Sequence, residues 1–248
     1  MKTNKLDLVL PWELKKIQKT KDAIPTVILN QIINNLISGE YELKRWIKNM
    51  EVPNKQTVKA IKEVCIQLET IRLGASDRDI PWIIVISNQH SLLSSLSQLL
   101  PITYALSVRC GVRTVTTDCL LRLLSGGPFP SLDDSEFFSN PSSPTLDRIY
   151  LAALLFWHHW AVRVNPSKVP AALYPLLEHR LSKKLPMVFT WYIPSEITTV
   201  PLALKRMATE SLCLGNAVSN LILENSLVCN LRSQSYLESK YSVRTLDI

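Results

Sequence analysis

Trp82-Ile83-Ile84-Val85-Ile86, running on into Ser87-Asn88-Gln89-His90-Ser91, is the stretch that decides the fold. An unbroken apolar run of this length offers no polar face to water. It therefore predicts a strand covered on both sides, as in a parallel sheet flanked by helices. Downstream, Ser91–Leu106 has helical composition, and the β-branched Val112-Arg113-Thr114-Val115-Thr116 after Gly111 reads as a second strand. Asp118–Leu124 is a short amphipathic helix, and Ser125–Pro144, rich in Gly, Pro, Ser and Asp, is a long loop. Leu151–Trp157 is the next buried apolar run, Pro170–Lys183 a helix, Met187–Trp191 a strand, and Pro194–Leu204 opens a further helix. Strands alternating with helices predict an α/β fold with a mostly parallel sheet.

Upstream the rhythm differs. Leu8, Leu10, Trp12 and Ile17 lie among Lys15, Lys16, Lys19 and Lys21, and Ile24–Ile37 is apolar at helical spacing with Gly39 as a C-cap. Asn54–Leu73 forms another helix, its stripe running through Val58, Ile61, Cys65, Leu68 and Ile71. Up to Gly74 the chain carries 13 Lys plus Arg against 8 acids, so five of its seven net positive charges lie there. This shift places a boundary near Gly74-Ala75-Ser76-Asp77: residues 1–75 form a small helical domain and residues 76–248 the α/β domain.

The 248 residues are enough for a sizeable core, and 46% hydrophobic against 20% charged residues excludes a disordered or fibrous chain. Only 6 glycines against 15 prolines leave little material for glycine-rich phosphate loops. Cys65, Cys110, Cys119, Cys213 and Cys229 are odd in number and form no CxxC pair, which argues against a zinc ribbon or redox motif. With no signal-like start, a reducing, cytoplasmic setting is expected. Pro81–Val108 contains no charged residue, but Ser87, Asn88, Gln89, His90, Ser91, Ser94, Ser95, Ser97 and Gln98 interrupt it, so it reads as core rather than as a membrane span.

Two segments resemble the C-terminal half of the AAA+ helicase loaders of the DnaC/DnaI type and the related IstB-like ATP-binding proteins. The first is Arg180-Leu181-Ser182-Lys183-Lys184-Leu185-Pro186-Met187-Val188-Phe189-Thr190-Trp191-Tyr192, similar to that family's helix, basic stretch, proline, strand and Thr-Ser-Asn. The second is Leu214-Gly215-Asn216-Ala217-Val218-Ser219-Asn220-Leu221-Ile222 with Leu227–Leu231, similar to its Leu-Gly, Ser-Arg-Leu and closing strand. The resemblance implies an AAA+-like, mostly parallel sheet flanked by helices and preceded by a small helical domain.

It also implies four chemical slots, and each departs from the family pattern. A phosphate loop needs glycine backbone and a lysine, yet Ser87–Ser95 has neither and places Ser94 in the lysine slot. His158-His159 stands where an acidic pair would hold Mg²⁺, although Mg²⁺ prefers oxygen ligands. Thr190-Trp191-Tyr192 replaces Thr-Ser-Asn, and Asn220 replaces the arginine. The expectation is a protein that is not an enzyme, with no catalytic, cofactor-binding or metal-binding residues.

The blander readings weigh against sharper ones. His158 and His159 are adjacent on leaving a strand, so their rings should point apart and serve structure rather than a metal. A Ser/His nucleophile assembled from Ser91–Ser97 with His90 or His179 lacks the elbow that would expose it. Lys15, Lys16, Lys19, Lys21, Lys44, Arg45 and Lys48 could meet nucleic-acid phosphates, but Glu13, Asp22, Glu40 and Glu42 are interleaved among them. Trp12 and Trp46 are either core anchors or partner contacts. The sequence reading is thus an AAA+-like adaptor in a hetero-oligomer. By resemblance it binds a replicative helicase or another AAA+ subunit in replication or transposition, with DNA as an optional further contact. Trp12, Lys15, Lys16, Lys19, Arg45 and Trp46 form its contact. A structural scaffold subunit with no nucleic-acid role is the alternative.

Overall fold

In the computed structural model, residues 8–13, 52–73, 80–108, 111–126, 146–231 and 235–237 are described. Lys15, Lys16, Lys19, Lys21, Lys44, Arg45, Trp46 and Lys48, the helix expected at Ile24–Ile37, Cys110, and most of the loop expected at Ser125–Pro144 lie outside them. The elements run α1 (Lys55–Arg72), β1 (Trp82–Ser87), α2 (His90–Val108), β2 (Val112–Thr116), α3 (Thr117–Leu124), α4 (Leu146–Leu151) and β3 (Leu154–His158). They continue with α5 (Leu173–Ser182), β4 (Met187–Tyr192), α6 (Val200–Ser211), α7 (Asn216–Glu224), β5 (Ser226–Asn230) and β6 (Ser235–Leu237). The helix expected from Pro194 begins six residues later, at Val200 with Pro201 in its first turn, where proline's missing N–H is harmless.

The strands form one sheet in the order β2-β3-β4-β1-β5-β6, parallel except for β6, which pairs antiparallel to β5. The α/β class and mostly parallel sheet read from the sequence are therefore those of the structure. The chain passes leftward in this order from β1 to β2, and rightward through β3, β4 and β5. Right-handed crossovers must then put α2 on one face and α3, α5, α6 and α7 on the other. The core divides accordingly. Ile83, Val85, Val112, Phe156 and Val188 face α2, whereas Trp82, Ile84, Ile86, Leu155, Trp157, Met187 and Phe189 face α3, α5, α6 and α7. Both faces are covered, which is why β1 reads as continuous apolar sequence rather than as an alternation.

α1 lies on the α2 face, and Ala60, Ile61, Val64, Cys65 and Leu68 join the core beneath it. Asn54 caps it by accepting a hydrogen bond from the Thr57 amide at 2.8 Å. The boundary expected at residue 75 thus falls between α1 and β1, two elements that share one core. Trp12 is also inside this core, 6% exposed, and the Val9 amide donates to Ser107 Oγ on α2 at 2.9 Å. The ring expected at a partner contact is instead a core anchor, because it covers apolar side chains that water would otherwise meet. α2 is long and apolar enough to cross a membrane by length and composition, and its apolar residues are packed between α1 and the sheet.

Two helix ends depend on unusual residues. α5 closes with the Leu185 amide on Arg180 O at 2.8 Å and the Lys184 amide on Leu181 O at 2.9 Å, the pairing of a Schellman motif, with Lys184 in the left-handed position at φ +50°. Arg180 is fully buried, and its guanidinium donates to the carbonyls of Ile149, Tyr150 and Ala152 around the end of α4, and to that of Pro186. The second case is Gly215, which enters α7 at φ +99°, a backbone that L side chains avoid. A Cβ there would meet nothing within 4 Å. Gly215→Ala should therefore destabilise through backbone strain alone, by about 1–3 kcal/mol, read as a lower urea midpoint with an unchanged slope.

Candidate functional site

In open α/β sheets, ligands bind beyond the carboxyl ends of the strands, near where the chain's winding direction reverses. Here that place is the region above β1, β3 and β4. β1 ends at Ser87 and α2 begins at His90, so only Asn88 and Gln89 join them. The link is fastened from within: Ser87 Oγ accepts the Gln89 amide at 3.1 Å, and Ser87 O accepts the Ile193 amide at 2.7 Å. Two residues are too few to wrap a phosphate in a succession of backbone N–H groups, which a phosphate loop requires.

Directly above this link, the His90 ring stacks on Tyr192 at the end of β4, with centroids 3.5 Å apart and planes 14° from parallel. At the end of β3, His158 Nδ1 and Thr190 Oγ1 are hydrogen-bonded at 2.7 Å. Thr190 Oγ1 also accepts the His159 amide at 3.1 Å, and Thr190 O accepts the Trp160 amide at 3.2 Å. Thr117, at the start of α3, accepts the Trp157 indole N–H at 3.0 Å and donates to His159 O at 2.8 Å. Trp191, next to Thr190, donates its indole N–H to Glu210 on α6 at 3.1 Å.

The two adjacent histidines do not diverge as a regular strand would make them. His159 has φ +50°, so the chain turns on leaving β3 and the two rings come to 3.9 Å between centroids. Burial holds the His158 imidazole down to about 4, with the His159 ring as the second cause. Burial also lowers His159, with His90 as its second cause. Both are neutral at pH 7, and such rings are competent transition-metal ligands. Among the described residues, however, no group of three His, Cys, Asp or Glu side chains is arranged to hold a metal ion.

Of the residues singled out as chemical slots, the structure brings three sets together: the β1–α2 link, His158-His159, and Thr190-Trp191-Tyr192. Asn220 is half-buried on α7 and its side-chain oxygen has no hydrogen-bond partner. Of the expected contact residues only Trp12 is described, and it is buried. The roles of His90, Thr117, Thr190 and Glu210 as partners of the slot residues had no local signal, because each partnership joins positions from 19 to 102 residues apart.

No known family model matches the chain, and neither does any curated protein. Among solved structures it is similar to the DnaC helicase loader, at 12% identity and a TM-score of 0.46, over 73% of this chain and 93% of that one. It is also similar to a primosome component from Streptococcus pyogenes serotype M3, at 14% identity and a TM-score of 0.40, over 74% of this chain and 83% of that one.

Proposed function

We propose that this chain is a non-catalytic adaptor of helicase-loader type, an AAA+-like domain that works through its surfaces and not through nucleotide hydrolysis. One observation carries the reading: residues of three of the four replaced slots contact one another, by ring stacking and by hydrogen bonds. His90 from the first meets Tyr192 from the third, and His158 and His159 from the second meet Thr190 from the third. A site merely missing a residue would leave groups aimed at an absent ligand. Here the substitutes satisfy each other, which favours a settled structural role for this end of the sheet.

The reading predicts that millimolar Mg-ATP or Mg-ADP leaves the melting temperature unchanged. A nucleotide at a hundred times its dissociation constant would add about 2.7 kcal/mol. For a domain of this size that is a shift of roughly 5–10 °C, and such a shift would overturn the proposal. The partner is sought by affinity capture from the native extract at low and moderate salt. A replicative helicase or another AAA+ subunit is expected, lost in a variant with Trp46→Ala, Lys15→Glu, Lys16→Glu, Lys19→Glu and Arg45→Glu. If DNA is contacted as well, its retention should fall steeply with salt. A salt-resistant complex without replication proteins would instead favour the scaffold. Trp12 is left out of the variant because its loss would act on the core.

A further inference from the structure

The end of β3 is held by a clamp of side chains that contains two touching imidazoles. Thr117 ties the turn to α3 through His159 O and the Trp157 indole, while Thr190 ties it to β4 through His158 Nδ1, the His159 amide and the Trp160 amide. The turn itself bends through the left-handed conformation of His159, which non-glycine residues hold only when their surroundings enforce it. Thr190 Oγ1 already accepts the His159 amide. The assignment that uses every group therefore has its hydroxyl donating to a neutral Nδ1, with the ring proton on Nε2. A protonated ring carries N–H at both positions, so the Thr190 hydroxyl proton loses its acceptor and Oγ1 has to take two N–H donors at once.

Among the described residues, no group of opposite charge is set against these rings. Across from the turn stand His90 on α2 and Tyr192 on β4. On α3, Asp118 pairs with Arg122 at 2.9 Å; Arg163 follows the turn, and Glu196, beyond β4, acts on Arg206.

We propose that the His158–His159 turn is a proton-operated latch: charging these rings releases the end of β3 from Thr117 and Thr190 and opens this end of the sheet while the rest of the domain stays folded. The sign follows from the rings' environment. Both take up protons less readily when clamped than when free, so opening binds protons. The clamp is fully stable above the free imidazole value of 6.5 and is weakened as pH falls from there toward about 4, the clamped value of His158.

The indole N–H resonances of the ¹⁵N-labelled full chain test this between pH 7 and pH 4. The Trp157 indole bonds to Thr117 inside the latch, whereas the Trp82 indole bonds to Leu185 O at the opposite end of the sheet. The expected result is a shift or loss of the Trp157 signal on acidification, with the Trp82 signal unmoved. That transition should vanish in the variant His158→Gln with His159→Asn, asparagine being tolerant of positive φ, and persist in His179→Gln. Simultaneous loss of both indole signals would overturn the latch in favour of general unfolding. So would a Trp157 transition unchanged in the double variant, or none down to pH 4. If the double variant does not fold, the imidazole C–H resonances of the unmodified chain decide: two must titrate together with Trp157, and independent titration sinks the proposal.

Discussion

Arg180→Met is expected to destabilise the protein by about 3 kcal/mol or more. Arg180 is 0% exposed, and its donated bonds go to four backbone carbonyls at 2.9–3.3 Å rather than to a carboxylate. Burial pushes its pKa down to about 9, so the guanidinium remains charged at neutral pH and the carbonyl dipoles are what stabilise it. Two effects of opposite sign compete in the variant. Removing the ion relieves its desolvation, which favours Met. Leaving buried carbonyls without donors costs about 1–3 kcal/mol for each, and several are affected at once, including those around the end of α4, where a cation is favoured. The orphaned acceptors win. Arg180→Lys should fall between the two, because an ammonium supplies charge from a single point and cannot span Ile149 and Pro186 as the planar fork does. Urea unfolding of the three proteins checks the order; a Met variant within 1 kcal/mol of the parent would show that the ion's desolvation dominates.

Phe189→Ala should cost about 3–5 kcal/mol. Phe189 is at the middle of β4, fully buried, and the rings of Trp82, Trp157 and Trp160 surround it at 5.6–5.8 Å. Truncation removes the apolar contact and leaves a cavity walled by three large, rigid indoles that cannot collapse into it. Phe189→Leu keeps most of the volume and loses the edge-to-face geometry, for a smaller effect of about 1 kcal/mol. Chemical denaturation followed by far-UV circular dichroism measures both. Equal effects of Ala and Leu would mean that the cluster owes its stability to ring geometry and not to filled volume.

These two positions mark how far the sequence could be read. The apolar character of Met187–Trp191 placed Phe189 in a covered strand. The strand runs one residue further, to Tyr192, whose polar edge left no apolar signal. Arg180, by contrast, looked like one of several cations at the end of a helix, beside Lys183 and Lys184. Those two are exposed and Arg180 is buried. What separates them is position on the helix: Arg180 points to the face that covers β3 and the end of α4, and no feature of residue type announces that.

Trp12 makes the same point in reverse. A tryptophan among lysines fits a partner surface and a core equally well, and only the packing of residues 8–13 against α2 decides between them. The boundary near residue 75 was inferred from a change in charge and composition over residues 1–74, of which α1 is the last helix. The inner face of the same helix carries Ile61, Val64 and Leu68 into the core shared with β1.

Most of the described strands and helices were legible in the residues alone, because periodicity and apolar runs act over a few residues; α4 and β6, with six and three residues, carried no such signal. Continuous hydrophobicity in Trp82–Ile86 required a strand covered twice, and covered strands separated by helices required a parallel sheet. The tertiary structure alone decided which side chains meet at the strands' carboxyl ends. His90 and Tyr192 stack across 102 positions because β4 lies beside β1, an adjacency set by crossover direction and not by proximity in the chain. His158 and His159 touch because one residue takes a left-handed turn that overrides the alternation of the strand it leaves. Local physics settles what each segment becomes, and sheet order settles what it faces.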